Sequence, residues 1–227
     1  MLDILYEDNH LIVANKKCGE IVQGDITGDR TLADDVKEYL KIKYQKPGEV
    51  FLGITHRIDR PTSGAVIFAR TSKALGRINE MFREKRIVKT YVCVVDTKPP
   101  KESDLLTHFI YREEKINKSF ALDVQKYDAK PASLSYKLLG SSERFHLLEI
   151  DLQSGRHHQI RAQLATIGCH IKGDLKYGAA RSNADGGIHL HACRIDFKHP
   201  ITKVNIHIFA PPPNDSVWNF FRNSLPE

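Results

Sequence analysis

Short apolar runs broken by polar turns fill the first seventy residues. Ile4–Tyr6 and Leu11–Ala14 are β-prone and are separated by Glu7, Asp8 and Asn9, which predicts a hairpin. From Thr31 the run TLADDVKEYLKIKY spaces Leu32, Val36, Leu40 and Ile42 along one helix face. Asp34 and Asp35 lie in its first turn and lysines later, the charge order that a helix dipole favours. A further apolar run (Val50, Phe51, Leu52, Ile54) enters a charged stretch and another, Ala65–Phe68, leaves it. THRIDRPTSGAVIFAR, Thr55 to Arg70, therefore reads as a loop between two buried strands. Ser72 is placed to cap a helix reaching Arg86, with Leu75, Ile78, Asn79 and Phe82 on one face and Lys73, Arg77, Arg83, Lys85 and Arg86 on a basic one.

Beyond Arg86 the period falls from that of a helix to that of a strand. Ile87–Asp96 is Val-rich and contains Tyr91. Leu105–Arg112, Lys118–Tyr127, Ser133–Leu139 and Phe145–Leu152 follow as an antiparallel meander with basic connections. A helix (His158–Thr166), two strands (Ile188–Phe197, Val204–Phe209) and an amphipathic helix (Ser216–Ser224) close the chain. The last carries Val217, Trp218, Phe220 and Phe221, expected to pack back on the body. The pattern predicts one α/β domain of α+β type over residues 1–227, a bent, mostly antiparallel mixed sheet flanked by helices.

Composition narrows the class. A chain with 41% hydrophobic and 27% charged residues is ordinary for a globular protein, and a formal charge of +6 leans towards a polyanionic partner. Cys18, Cys93, Cys169 and Cys193 form no CxxC pair, so they read as thiols in a reducing cytosol. No signal peptide and no run near the roughly 20 apolar residues of a membrane span is present, so a cytoplasmic protein without membrane contact is expected.

The chemistry concentrates in the loop. Asp59 is a lone carboxylate among His56, Arg57 and Arg60, followed by Pro61, Thr62, Ser63 and Gly64. Neighbouring cations favour its ionised form, which suits a nucleophile or base; on charge spacing alone a surface ion pair is an equal reading. His189 and His191 would face one way on a strand, with His157, His158 and His170 upstream. No Cys or carboxylate pattern accompanies them, and no metal site is expected.

HRIDRPTSG resembles the active-site signature of the RluA family of pseudouridine synthases. KTYVCVV from Lys89, LQSGRHHQIRAQLATIGCHIKGDLKYG from Leu152 and HLHACRIDFKHPIT from His189 follow in that family's order, so the resemblance spans most of Met1 to Ala210. It implies the pseudouridine synthase catalytic fold, without a preceding S4 module, acting on uridine in structured RNA. The RNA is expected to be large-subunit ribosomal RNA, with transfer RNA as the alternative. The chain is expected to work as a monomer and without cofactor. The resemblance makes Asp59 the catalytic carboxylate, Tyr91 the aromatic against the target base and Arg161 the basic residue that pairs with that carboxylate. His56, Arg57, Arg60, Thr62, Lys89 and Arg156 become contacts to RNA. Many relatives read GRTHQIR where this chain reads GRHHQIR, so His157 stands in place of a hydroxyl. A non-catalytic RNA-binding protein of the same fold is the competing reading from another class.

Overall fold

The computed structural model describes residues 2–24 and 28–226. Among them the strands are β1 (Ile4–Glu7), β2 (Leu11–Lys16), β3 (Gly53–Ile54), β4 (Ser63–Ala69), β5 (Ile87–Val95), β6 (Ser103–Glu113), β7 (Lys118–Leu122), β8 (Lys130–Ser141), β9 (His146–Leu152), β10 (Leu190–Lys198) and β11 (Asn205–Phe209). The helices are α1 (Leu32–Lys43), α2 (Ser72–Arg83), α3 (Gln159–Thr166) and α4 (Ser216–Phe220). The fold is α+β, with a large, mostly antiparallel sheet. The chain forms two compact units, Met1–Val88 with Ala192–Pro213, and Lys89–His191 with Asn214–Glu227.

In the first unit the predicted hairpin forms, and β2 runs antiparallel to β4 from Leu11↔Ala69 to Lys16↔Gly64. Leu11, Val13, Ile67 and Ala69 alternate onto the face that packs against Ala74, Ile78 and Met81 of α2 and against Ile195 and Phe197 of β10. Thr31 and Asp34 close a reciprocal capping box at the start of α1, whose Leu32, Val36 and Leu40 are buried. Gly64, the last residue of the HRIDRPTSG string, sits at φ +119, and a Cβ there would lie 2.4 Å from the Ala192 carbonyl oxygen. Only glycine lets the chain leave the loop so close to β10.

In the second unit the strand order is β5-β9-β8-β6-β7, every pair antiparallel. Helix α3 lies on one face, where Ala162 meets Ile110, Ala132 and Tyr177. It buries amides rather than a plain apolar stripe: Gln163 Nε2 donates to the Leu106 carbonyl at 3.1 Å and Gln159 Nε2 to the Ser133 carbonyl at 3.1 Å. The edge strand β7 is closed by one side chain. Ser119 N–H donates to Tyr177 Oη at 2.9 Å, and that hydroxyl lies 3.1 Å from the Ser119 carbonyl oxygen.

Several boundaries differ from the sequence reading. Thr71, not Ser72, caps α2, its hydroxyl accepting from Ala74 N–H, and the helix ends at Arg83 because Lys85 turns left-handed at φ 56. Ile42, expected on the buried face of α1, is 70% exposed. Strand β7 stops at Leu122, and Tyr127 stands beyond it at φ 55. The terminal helix keeps only Ser216–Phe220 before a 3-10 turn, Arg222–Ser224, and of its aromatics Trp218 and Phe221 are buried while Phe220 is not.

Candidate active site

The apolar run ahead of the charged loop shrinks to β3, and two side chains then continue its attachment to β4. Thr55 Oγ1 donates to the Ile67 carbonyl at 2.6 Å, and Ile67 N–H donates to His56 Nε2 at 3.0 Å. Accepting at Nε2 leaves the ring proton on Nδ1, and the imidazole rests on Phe82 at 4.9 Å. Thr62 N–H then donates to the Asp59 carbonyl at 3.0 Å, closing a turn whose flanks, Ile58 and Thr62, are buried while Asp59 itself is half-buried. Buried shoulders and a fixed backbone hold Asp59 in place at the turn.

Lys16 holds this turn from within. It ends β2, is 1% exposed, and donates from Nζ to the carbonyls of Lys17 (2.9 Å) and Arg60 (3.1 Å). The Arg60 carbonyl also accepts from Gly19 N–H at 2.9 Å. The Arg60 side chain turns back too, Nε donating to the Gly19 carbonyl at 3.1 Å and the guanidinium meeting Asp29 at 2.9 Å. Arg60 and the buried Thr62 thus serve the loop's own structure, whereas Arg57 is exposed and has no described partner.

Burial pushes the Lys16 ammonium down to about 8, against the opposing pull of Glu20, Cys18 and Asp59. Between pH 8 and the ordinary 10.5 the unfolded chain holds a proton that the folded chain has released, so this residue's contribution to stability rises with pH across that window. The difference is worth about 3 kcal/mol at about 1.4 kcal/mol per unit. Urea titrations at both ends of the window should show that increment in the wild type and not in Lys16→Met. Parallel pH profiles for the two proteins would refute the assignment.

The remaining predicted residues belong to the second unit. Tyr91 lies on β5 opposite Ile150 and is 5% exposed. Two residues earlier Lys89 is half-buried, its desolvation lowers the ammonium, and a Cβ at Gly155 would come within 3.7 Å of its Nζ. Arg161 is no surface charge of α3. It is buried, and its guanidinium forks onto Asp174, Nε to Oδ2 at 2.6 Å and Nη2 to Oδ1 at 2.8 Å. The face of Tyr177 covers it, 4.9 Å from ring centre to Cζ.

His158 caps α3 in the left-handed region and shares the Tyr177 hydroxyl through Nδ1 at 2.9 Å. Burial first, and then the charge of Arg161, pushes its imidazole down to about 2, so the ring is neutral. The phenol gives its own proton to the Ser119 carbonyl, which assigns Nδ1–H as the donor between the two rings. His157 stacks on it at 3.8 Å and reaches Ser119 Oγ through Nδ1 at 2.8 Å. Arg156 is exposed and donates from Nε to the Pro131 carbonyl at 3.2 Å. The strand histidines carry α4: His189 stacks on Trp218 at 5.2 Å and faces Asp215, and His191 meets Trp218 edge-on at 6.1 Å.

Sequence reasoning passed over Lys16, Asp174 and Tyr177. Lys16 sits in NKK, which reads as a solvated turn; only its place at the end of an apolar strand hinted at burial. Asp174 and Tyr177 fall within the family-like segment from Leu152, and no local pattern there says that a carboxylate thirteen residues on will hold Arg161.

A family model described as RNA pseudouridylate synthase matches residues 10–166, which include the Asp59 loop, Tyr91 and Arg161. The chain belongs to the RluA-type RNA pseudouridine synthases. A pseudouridine synthase of Bacillus subtilis (strain 168), the uncharacterized RNA pseudouridine synthase YlyB, is 32% identical over 94% of this chain and 70% of its own length. The ribosomal large subunit pseudouridine synthase C of Buchnera aphidicola subsp. Schizaphis graminum is 32% identical over 92% of this chain and 67% of its own. Among solved pseudouridine synthase structures, human RNA Pseudouridylate Synthase Domain Containing 4 superposes with a TM-score of 0.79 at 24% identity, over 97% of this chain and 92% of that one, a likeness of fold. As a pseudouridine synthase the protein is an isomerase acting on RNA. Among its described residues no helix is long and apolar enough to cross a membrane.

Proposed function

We propose that this synthase isomerises uridine in large-subunit ribosomal RNA, with Asp59 as the carboxylate on which the reaction turns. The observation that carries the proposal is the Asp59 turn itself: a half-buried carboxylate on a backbone pinned by Ile67, Gly19 and the buried Lys16 ammonium. The isomerisation breaks the bond from N1 to C1′, turns the uracil and forms a bond from C5 to C1′. The C5 proton leaves and N1 gains one, so atoms balance without an oxidant. Asp59 serves as nucleophile or base in the cleavage. An internal uridine has to leave its stack to be reached. Tyr91, rigid in β5, offers an aromatic face to the base, and Arg161, oriented by Asp174, supplies a fixed positive charge. Arg57 and Lys89 are assigned to RNA phosphates.

Two relatives of similar identity, from Buchnera aphidicola and Zymomonas mobilis, are named for the ribosomal large subunit, which favours that RNA over transfer RNA. The test is pseudouridine mapping by carbodiimide modification and primer extension in cells lacking the gene, rescued with wild type or Asp59→Asn. A large-subunit site lost with the gene and restored only by wild type is the expected result. A lost site in transfer RNA would replace the substrate, and a site restored by Asp59→Asn would remove Asp59 from the chemistry.

A further inference from the structure

In the second unit Arg112, Lys118 and Lys176 are drawn round Asn117 and Tyr177, and Arg156 stands on the segment ahead of α3. Strand alternation places Tyr111 and Glu113 on one face, their side chains joined at 3.2 Å, with Lys118 opposite Glu113 in register, while Arg112 follows Ile110 onto the face covered by α3. Arg112 Nη2 reaches Asn117 Oδ1 at 3.4 Å, and Lys176 Nζ donates to the Asn117 carbonyl at 3.0 Å, so one turn residue, itself left-handed at φ 46, positions both. Lys118 reaches round the edge strand until Nζ stands 5.1 Å from the Tyr177 ring centre. Arg156 approaches from the segment ahead of α3 and is anchored on Pro131.

Arg112, Arg156 and Lys176 are exposed and Lys118 is half-buried, so all four are open to a ligand. None forms an ion pair among the described residues, whereas Arg30, Lys43, Arg60, Arg70 and Arg161 each sit on a carboxylate. The neutral state of the neighbouring His158 agrees with this excess: burial lowers its imidazole first, and Arg161, His157, Lys176 and Arg112 lower it further. Unpaired, spread cations on a rigid hairpin and helix entry suit a chain of phosphates rather than one anion, since each can meet a different phosphodiester.

We propose that Arg112, Lys118, Arg156 and Lys176 form a contact surface for the sugar-phosphate backbone of the RNA, beyond the nucleotide that is isomerised. The proposal rests on the reading of RNA as substrate, and a binding assay separates the two. Filter binding of a large-subunit ribosomal RNA transcript and of bulk transfer RNA is measured over a salt series. The proteins are the wild type, the triple variant Arg112→Ala/Lys118→Ala/Lys176→Ala, and a control triple of exposed cations on α2 and just beyond its end, Lys73→Ala/Arg83→Ala/Lys85→Ala. The cluster variant should bind roughly tenfold or more weakly near 0.15 M salt, with the slope of log K against log salt reduced by about 2 to 3, as loss of three phosphate contacts requires. The control triple should change both much less, and melting curves should show all three proteins folded. Equal losses in the two triples, or unchanged binding in the first, would overturn the surface while leaving the RNA reading in place. Failure of the wild type to bind either RNA would overturn both.

Discussion

Asp59→Asn should lower turnover by at least about a thousandfold while leaving RNA affinity and the urea midpoint near wild type. The substitution changes one atom's identity and removes one charge. The turn survives it, because Thr62 N–H bonds to the Asp59 backbone carbonyl and Lys16 to that of Arg60. A carboxamide is neither a nucleophile towards C1′ nor a base at neutral pH, so the loss should fall on the chemical step alone. Tritium release from RNA labelled at uridine C5, under single-turnover conditions with enzyme in excess, measures that step directly. Release at the wild-type rate would sink the catalytic assignment, and a parallel loss of RNA binding would make Asp59 a binding residue instead.

Asp174→Ala should destabilise the protein by about 3–5 kcal/mol, the usual cost of removing one partner from a buried ion pair. Both oxygens of Asp174 are spent on Arg161, in surroundings where the two side chains are 1% and 5% exposed. The alanine takes from a buried guanidinium the carboxylate that holds it by two parallel hydrogen bonds. Replacing the pair together, Arg161→Met with Asp174→Leu, should recover most of the stability, since a buried ion pair gives little net stabilisation over packed apolar groups. Activity should not return with it if Arg161 serves the reaction. Urea titration and tritium release on the same three proteins separate the two roles. A double variant that is both stable and active would reduce the pair to a structural one.

Much of this arrangement is legible in the chain. The hairpin at Ile4–Ala14, the loop between two strands at Thr55–Arg70, and the α1 start at Thr31 each carry a local signal, of alternation, charge or capping, that tertiary packing does not override. The string HRIDRPTSG locates the candidate carboxylate, and the close approach of Ala192 gives its glycine a physical reason. What sequence could not show is where burial beats residue type. Lys16 is interior because the carbonyls of Lys17 and Arg60 satisfy it, and Arg161 because Asp174 does; both look like solvated charges until those partners are placed. Helix α3 hides for the same reason, its glutamines bonding to strand carbonyls where a leucine stripe would have announced burial. Val124 and Tyr127 continue a β-rich run and so predict a longer β7 than forms, because the left-handed backbone at Tyr127 ends any alternation.

The phenol of Tyr177 has a consequence beyond its own unit's architecture. An unpaired rim of strand backbone is a template on which a second molecule can add, the first step of fibril growth. By occupying both the N–H and the carbonyl of Ser119, Tyr177 denies that template one position near the start of β7, and Lys176 takes the carbonyl of Asn117 beside it. One short 3-10 turn, Leu175–Tyr177, therefore both follows the partner of Arg161 and occupies hydrogen-bonding positions at the rim of the sheet.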